Sequence, residues 1–248
     1  MNHWHALILG LIQGLTEFFP ISSSAHLKIA KMLLGIEVEE SHIFDLFCHF
    51  GTLVALVYFL RGDISRLFFQ ERKKLLLFFI ALCPLVPFYF LLKPVREMAS
   101  APHLLGFFLM TTSLILFLGG YLRWKTGSPN KQAFWIGTMQ AVALIPGISR
   151  SASTISAARV LGWSVPEAVR FSFLLSIPTI MGGTGLELIK HYDKSFSLSH
   201  CLVGFSASLG VGLLVLPFAF RFLERGNLKP FAWYCLFAGI VITLVLYV

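Results

Sequence analysis

Long apolar runs separated by short polar segments dominate the chain. Because a helix needs about 20 apolar residues to cross a bilayer, six of these runs are interpreted as membrane-spanning helices. The six predicted spans are Phe44–Leu60, Leu75–Leu92, Leu104–Leu122, Pro166–Ile189, Cys201–Phe220 and Phe231–Val248. The pattern therefore predicts an all-α polytopic membrane protein.

Two further segments, Ala6–Gly35 and Gln132–Gly162, are too long and too polar in the middle to form one plain helix. Each starts apolar, breaks at a cluster of proline and serine, and then resumes helical character. Proline cannot continue a helix, and serine is a favoured residue at the start of one. We therefore interpret both segments as re-entrant helical hairpins.

The basic residues suggest an orientation for these elements. Eleven of the 20 Lys and Arg lie in segments 61–74, 123–131 and 221–229, against four in segments 93–103 and 190–197. Cytoplasmic loops carry the excess of basic residues, so the first three segments are predicted to be cytoplasmic. The first hairpin then starts and ends outside and the second starts and ends inside. The alternative is a first segment that crosses once, with the N-terminus inside.

The two hairpins are similar in sequence at an offset of 127 residues. Between 9–35 and 136–162, nine of 27 positions are identical, and these include matched Gln and Ser positions that apolar similarity alone does not produce. Three predicted spans separate the hairpins, and an odd number gives the copies opposite orientation. The sequence therefore predicts an inverted repeat, with copies at about 6–122 and 132–248, inside one membrane domain, 1–248.

Composition supports this assignment and removes other classes. Hydrophobic residues make up 56% of the 248 residues and charged residues 13%, which is too little charge to cover the surface of a soluble domain. The net charge of +8 does not indicate a nucleic-acid partner, because the basic residues lie mostly between spans.

The first hairpin contains acidic and amide side chains in an apolar setting. Gln13 and Glu17 are four residues apart and share a helix face, and Pro20 ends that helix. An ionised carboxylate inside a membrane costs several kcal/mol, so Glu17 requires a partner, a cation or water.

Three consecutive serines, Ser22, Ser23 and Ser24, follow the break and can cap the next helix. His26 comes three residues after Ser23, a spacing that allows the two side chains to meet. On the next predicted span Asp45 and His49 share a face from which both can reach the site, and hydrogen bonding between helices is the equal alternative for His49.

The second hairpin contains a cation at the matching place. Pro146 and Gly147 break the helix, and Ser149 or Ser151 can cap the next one. Helix N-termini attract anions, and the guanidinium of Arg150 suits phosphate oxygens. If both breaks meet, the site suits a phosphate ester or anhydride, and its place inside a bilayer suggests a lipid substrate.

These motifs resemble the undecaprenyl-diphosphatase family, the bacterial membrane phosphatases linked to bacitracin resistance. The first family signature is matched by Gln13, Glu17, Pro20, Ser22, Ser23 and His26, and the second by Pro146, Gly147, Ser149, Arg150, Ser151 and Thr154. Gln13 departs from the pattern, since many members have Glu there, and His49 stands where Gln is common.

The resemblance implies hydrolysis of undecaprenyl diphosphate to undecaprenyl phosphate and inorganic phosphate, which recycles the lipid carrier for cell-wall synthesis. It also implies a divalent cation, Mg²⁺ or Ca²⁺, and a bacterial plasma-membrane site that opens toward the outer face. The catalytic roles we expect are nucleophile for Ser23, base or proton donor for His26 and phosphate clamp for Arg150. Gln13 and Glu17 are expected to hold the metal and the water, and Glu17 is counted as catalytic as well. Phosphate binding is expected of Ser22, Ser24, Gly147, Ser149, Ser151 and Thr154.

Three alternatives stay open. Attack by His26 or by metal-bound water competes with attack by Ser23. A transporter or flippase of the polyprenyl phosphate carrier is the rival function, because inverted repeats and broken helices are also typical of transporters. The sequence does not fix the oligomeric state, and a homodimer stays open.

Overall fold

The computed structural model describes residues 1–36, 42–99, 101–124, 127–190 and 197–247. All regular structure in these ranges is helical, as the sequence predicts. The first half contains α1 (His3–Thr16), α2 (Ser23–Leu33), α3 (His42–Phe59), α4 (Arg61–Phe69), α5 (Arg72–Leu82), α6 (Leu85–Leu91), α7 (Lys93–Ala99) and a 3₁₀ turn, Pro102–Leu104. The second half contains α8 (Leu105–Tyr121), α9 (Pro129–Val142), α10 (Arg150–Val160), α11 (Val165–Lys190), α12 (Leu198–Glu224) and α13 (Lys229–Tyr247).

Six helical stretches are long and apolar enough to cross a membrane, and they correspond to the six predicted spans. The second of them, Arg72–Leu91, is two helices, α5 and α6, interrupted at Cys83 and Pro84. The chain is therefore a multi-pass membrane protein by the length and composition of its helices. Two short helices, α4 and α7, lie in segments 61–74 and 93–103, which the sequence pattern treats only as loops.

Both polar segments form a pair of helices around a break. In hairpin 1, α1 ends at Thr16 and α2 starts at Ser23, with Pro20 in the turn; in hairpin 2, α9 and α10 flank Pro146. The helices of each pair pack against each other. The predicted breaks are therefore confirmed, whereas the depth of the hairpins in the bilayer stays a prediction.

Serine caps start both second helices. The Ser22 hydroxyl accepts a hydrogen bond from the Ala25 N–H at 3.4 Å, and Ser149 does the same for Ala152 at 3.3 Å. The caps satisfy backbone donors that a helix start leaves without an intrahelical partner.

Glycines let the hairpins approach other helices closely. A Cβ at Gly10 of α1 would lie 2.6 Å from the Gly204 carbonyl oxygen of α12. In hairpin 2, Gly137 of α9 lies against the backbone of Ala81 in α5. The first helix of each hairpin thus packs closely against a helix of the other half of the chain.

Candidate active site

The two breaks meet in the structure. The Ser151 hydroxyl of hairpin 2 donates to the Phe19 carbonyl of hairpin 1 at 3.2 Å. Arg150 Nη2 donates to Glu17 Oε1 at 3.0 Å. The expected juxtaposition of Glu17 and Arg150, 133 positions apart in the sequence, is therefore present.

Glu17 is the centre of a buried hydrogen-bond network. Its residue is 7% exposed, and both of its carboxylate oxygens accept hydrogen bonds. Besides the bond from Arg150, Oε2 accepts from Ser23 Oγ at 2.7 Å and from Gln13 Nε2 at 2.9 Å. A buried carboxylate is tolerable only with such partners, so Arg150 is part of what keeps Glu17 ionised in an apolar surrounding.

His49 joins this network from α3. Gln13 Nε2 lies 2.8 Å from His49 Nδ1, and the same nitrogen of His49 is 3.4 Å from Glu17 Oε2. Because Nε2 of Gln13 is a donor, it can donate to Nδ1 of His49 only where that nitrogen carries no proton. Of the two interpretations of His49, the structure therefore supports both, since it hydrogen-bonds between helices and also lines the site cavity.

Gln13 and Glu17, the predicted metal ligands, suit a metal ion only if oxygens of a substrate bind the same ion. Gln13 Oε1 is buried without a hydrogen-bond partner, beside the Glu17 carboxylate. Among the described residues no group of three His, Cys, Asp or Glu side chains could hold a metal. Mg²⁺ is often bound by one or two protein oxygens together with substrate phosphates. The donor set suits a cation shared with a diphosphate and does not suit an ion held by protein alone.

The three serines of hairpin 1 lie at the start of α2 and line the cavity. Ser22 has a positive φ of 67°, the one such value among the non-glycine residues that the structure describes. This left-handed conformation turns the chain sharply into α2. The Ser22 and Ser24 hydroxyls are 3.3 Å apart, while that of Ser23 faces Glu17.

Of the phosphate-binding residues predicted in hairpin 2, Ser149 and Ser151 line the cavity, as does Arg150. Gly147 and Thr154 do not appear in its lining. Gly147 has φ 98° and a Cβ there would meet Phe108, so it makes the turn and the close packing behind the site.

Thr154 is buried inside the helix bundle. Its hydroxyl bonds the Arg150 carbonyl at 3.0 Å and the Ser172 hydroxyl at 2.6 Å. Thr154 thus holds the backbone of Arg150 and fixes α10 against α11, away from the cavity.

His26 does not contact Ser23 in the structure. Its Nδ1 is 2.8 Å from the Ser22 carbonyl, to which it donates, and its Nε2 accepts from the Tyr234 hydroxyl at 2.6 Å. The rings of His26 and Tyr234 also stack, with centroids 5.7 Å apart. The spacing of three residues allowed a Ser23–His26 contact, but a tyrosine on α13, invisible to local spacing, binds the imidazole instead.

Asp45 does not line the cavity, although it shares a helix face with His49. It forms an ion pair with the fully buried Lys31 of α2, with Nζ and Oδ2 2.5 Å apart. This pair ties hairpin 1 to α3, whereas His49, one turn further along α3, is the residue that lines the cavity.

The cavity has a volume of about 310 Å³, near the lower end for a small-molecule site. The first residues of α2 and α10, Ser23 and Arg150, both border it, so two helix N-termini face the same space. Their partial positive charges and the guanidinium favour an anion. The arrangement is chemically suited to hold phosphoryl oxygens beside a hydroxyl whose proton already points at a carboxylate.

Sequence reasoning missed several residues of the cavity wall. Gln140, the counterpart of Gln13 in the repeat, lines the cavity and accepts a hydrogen bond from Thr179 at 3.3 Å. Tyr89, Arg96 and Glu187 line the cavity as well. Arg96 lies in segment 93–103, whose basic residues serve in the sequence only as evidence for orientation. Its position at the cavity is visible only in the folded structure.

Comparison with known proteins matches the chain to one family over nearly its whole length. A family model described as bacitracin resistance protein BacA matches residues 6–241. The undecaprenyl-diphosphatase of Protochlamydia amoebophila is 40% identical over 253 residues, covering 98% of both chains. The enzymes of the same name from Geobacter sulfurreducens and Methanobrevibacter smithii are 38% and 35% identical, over 96% and 98% of this chain. Because the family model and these relatives extend over nearly the whole sequence, the chain belongs to the bacitracin resistance protein BacA family.

Proposed function

We propose that the protein hydrolyses undecaprenyl diphosphate to undecaprenyl phosphate and inorganic phosphate. The observation that carries the proposal is the cluster of Glu17, Ser23 and Arg150 where two helix N-termini meet. A cation, a hydroxyl and a carboxylate in one buried space are the groups that phosphoryl transfer needs. Full-length relatives named for this activity support the same assignment.

Arg150 is the proposed clamp for the phosphoryl group that is transferred. Its Nη2 is bound to Glu17, and its Nη1 is buried without a hydrogen-bond partner. A phosphoryl oxygen supplies the missing acceptor, and the charge that develops on that oxygen in the transition state strengthens the bond. The start of α10, at Arg150 itself, adds backbone dipoles of the same sign.

Ser23 is the proposed nucleophile and Glu17 the group that takes its proton. The Oγ–H of Ser23 already donates to Glu17 Oε2 at 2.7 Å, within the reach expected of a general base. The Ser23 oxygen then bonds the terminal phosphorus, the anhydride P–O bond breaks, and undecaprenyl phosphate leaves. Glu17 gives the proton from Ser23 to the departing undecaprenyl phosphate and, once ionised again, accepts a proton from the water that hydrolyses the phosphoserine and releases inorganic phosphate.

His26 keeps its proposed role as proton donor, but the hydrogen bonds of the structure add a condition. Its imidazole has to leave Tyr234 before it can reach the substrate. Glu17, and not His26, is therefore the better-placed partner of Ser23 for the first step.

A divalent cation, Mg²⁺ or Ca²⁺, belongs to the proposal as an ion shared with the diphosphate. Gln13 Oε1 and Glu17 would hold it from the protein side. When bound there, the cation neutralises phosphoryl charge and polarises the bond that breaks.

The inverted repeat and the re-entrant hairpins are also proposals, supported by equivalent contacts in the two halves. Gly10 packs on α12 and its counterpart Gly137 packs on α5. The carbonyl of Pro20 accepts from Cys235 of α13 at 3.8 Å, and that of its counterpart, Gly147, accepts from Thr112 of α8 at 3.4 Å. The positive-inside orientation supports a site that opens toward the outer face, because Arg96 of the predicted outer segment 93–103 lines the cavity.

The direct test is release of inorganic phosphate from a polyprenyl diphosphate by the detergent-solubilised protein, with and without a chelator. We expect release that stops with chelator and returns with Mg²⁺ or Ca²⁺. Trapped phosphate on Ser23 would support serine attack over attack by water or by His26. A protein that moves unhydrolysed lipid between leaflets and releases no phosphate would instead be the transporter of the rival interpretation.

A further inference from the structure

One wall of the cavity has no part in the proposed catalytic steps. It is built by α6, α7 and the second half of α11, and it contributes Tyr89, Arg96, Thr184 and Glu187. The hairpins contribute the groups that act on one phosphoryl group, yet a diphosphate has two. The second group also carries negative charge, which is costly in a buried space unless a cation or donors meet it.

Arg96 is the cation on this wall, and two contacts hold it there. Its Nη2 donates to the Tyr89 carbonyl at 2.9 Å. Its guanidinium carbon lies 4.1 Å from the centre of the Tyr89 ring. Stacking on an aromatic face and a backbone bond reduce the freedom of a long side chain before any ligand arrives. Arg96 is thus fixed at the cavity wall by a residue, Tyr89, that lines the same wall.

The charges of the cavity divide into two pairs. Glu17 and Arg150 belong to the hairpins, and Glu187 and Arg96 belong to the α6, α7 and α11 wall. Arg150 and Arg96 are the two arginines among the described residues that line the cavity, and no lysine is among those residues. Loss of Arg96 would leave Glu187 as the charged group of its wall, and that wall would then repel a phosphoryl group.

We propose that Arg96 binds the phosphoryl group that stays on the lipid, while Arg150 binds the one that is transferred. This inference rests on the proposed function, because it assigns the two halves of the diphosphate to two arginines. As the anhydride bond breaks, negative charge builds on the departing polyprenyl phosphate, and Arg96 is the group that stabilises it. Arg96 is therefore a catalytic residue for the leaving group as well as a binding residue.

The test uses Arg96→Gln, with Lys93→Gln as the matched control. Lys93 lies on the same short helix, carries the same charge and does not line the cavity. In detergent, the KM for a polyprenyl diphosphate and the Ki of two inhibitors are measured. A polyprenyl monophosphate probes the Arg96 position, and orthophosphate, or orthovanadate where orthophosphate binds too weakly, probes the Arg150 position.

We expect Arg96→Gln to raise the KM and the Ki of the polyprenyl monophosphate by about tenfold or more, the loss expected for one hydrogen bond to a charged group. The Ki of the inorganic anion should stay within about twofold, Arg96→Lys should recover part of the loss, and Lys93→Gln should leave every constant unchanged.

An unchanged Ki for the monophosphate would overturn the proposal, and so would an equal rise of both Ki values, because that indicates general damage to the cavity. Failure of the wild-type protein to release phosphate would instead remove the proposed function, and the assignment of Arg96 with it.

Discussion

The two hairpins share a backbone plan but not a chemistry. Each has a break, a serine cap and a second helix that starts at the cavity. Where hairpin 1 has Glu17 and Ser23, however, hairpin 2 has Leu144 and Arg150 at the equivalent positions. One copy thus supplies the proposed base and nucleophile, and the other supplies the cation. Neither hairpin contains the whole set, so the site exists only where the two meet.

The two hairpins also form the same serine cap with different backbone conformations. In hairpin 1 the left-handed residue is Ser22 itself, with φ 67°, whereas Ser149 is extended with φ −73°. In hairpin 2 the positive φ lies two residues earlier, at Gly147, with φ 98°. Hairpin 1 has Pro20 at that place, and proline cannot adopt a positive φ. The positive φ therefore lies at a serine instead, which places an unusual backbone conformation directly beside Ser23, the proposed nucleophile.

Among substitutions that test the different roles of the two hairpins, the largest loss of phosphate release is expected at Ser23. Ser23→Ala removes the hydroxyl that donates to Glu17. If Ser23 is the nucleophile, phosphate release should fall by at least about 10⁴-fold, as for other covalent catalysts. Ser24→Ala, which alters the neighbouring hydroxyl, should lose no more than about tenfold. Turnover of Ser23→Ala near the wild-type rate would refute serine attack.

The next largest loss of activity is expected from breaking the ion pair between Glu17 and Arg150. Arg150→Ala and Glu17→Gln should each lower kcat by about 10²–10³-fold, the usual cost of one transition-state contact. Because the two residues act on one step, the double variant should lose far less than the product of the single losses. Rates of phosphate release in detergent measure all three variants.

Arg159→Lys serves as the control for the ion pair, since Arg159 lies on the same helix, α10, but outside the cavity. It should retain most of the activity. Multiplicative losses in the Glu17 and Arg150 double variant would show that the two residues act independently, which contradicts a shared role in one step.

A smaller effect separates the two possible roles of His26. Tyr234→Phe removes the hydroxyl that donates to the imidazole and leaves the ring stacking in place. If His26 donates a proton, it works after leaving Tyr234, so Tyr234→Phe should change kcat by less than about threefold, while His26→Ala should lose about 10²-fold or more. Equal, small losses in both variants would make His26 a packing residue.

The sequence predicts the large features because they depend on local pattern. Apolar runs of sufficient length predict the six spans, and Pro20 and Pro146 predict the breaks. The pairing of Glu17 with Arg150 follows from the repeat, which relates residues far apart in the chain. Helix ends agree to within a few residues, as for Phe44–Leu60 against His42–Phe59.

Contacts that depend on a third element are not predictable in this way. His26 contacts Tyr234 on α13 and Asp45 contacts Lys31 on α2, and both partners lie outside the local spacing on which the sequence interpretation depends. Arg96 is held at the cavity by Tyr89 of α6, against which α7 packs, and a segment of 11 residues with two basic side chains does not indicate that. Local spacing limits which residues can meet, while tertiary packing decides which of them do.

The smallest expected effect tests the backbone difference between the hairpins directly. Ser22→Gly loses a cap but relieves a left-handed conformation that costs an L-residue about 1–2 kcal/mol, so the free energy of unfolding should be unchanged or slightly higher. Ser149→Gly loses a cap of the same kind at an extended residue and gains nothing, so it should be slightly destabilised. A difference of about 1 kcal/mol in unfolding free energy between the two variants corresponds to an apparent Tm difference of about 2–4 °C for a chain of this size, measurable by thermal unfolding in detergent. Equal shifts at the two positions would mean that the strain at Ser22 is absorbed elsewhere, and that the two hairpins differ only in their side chains.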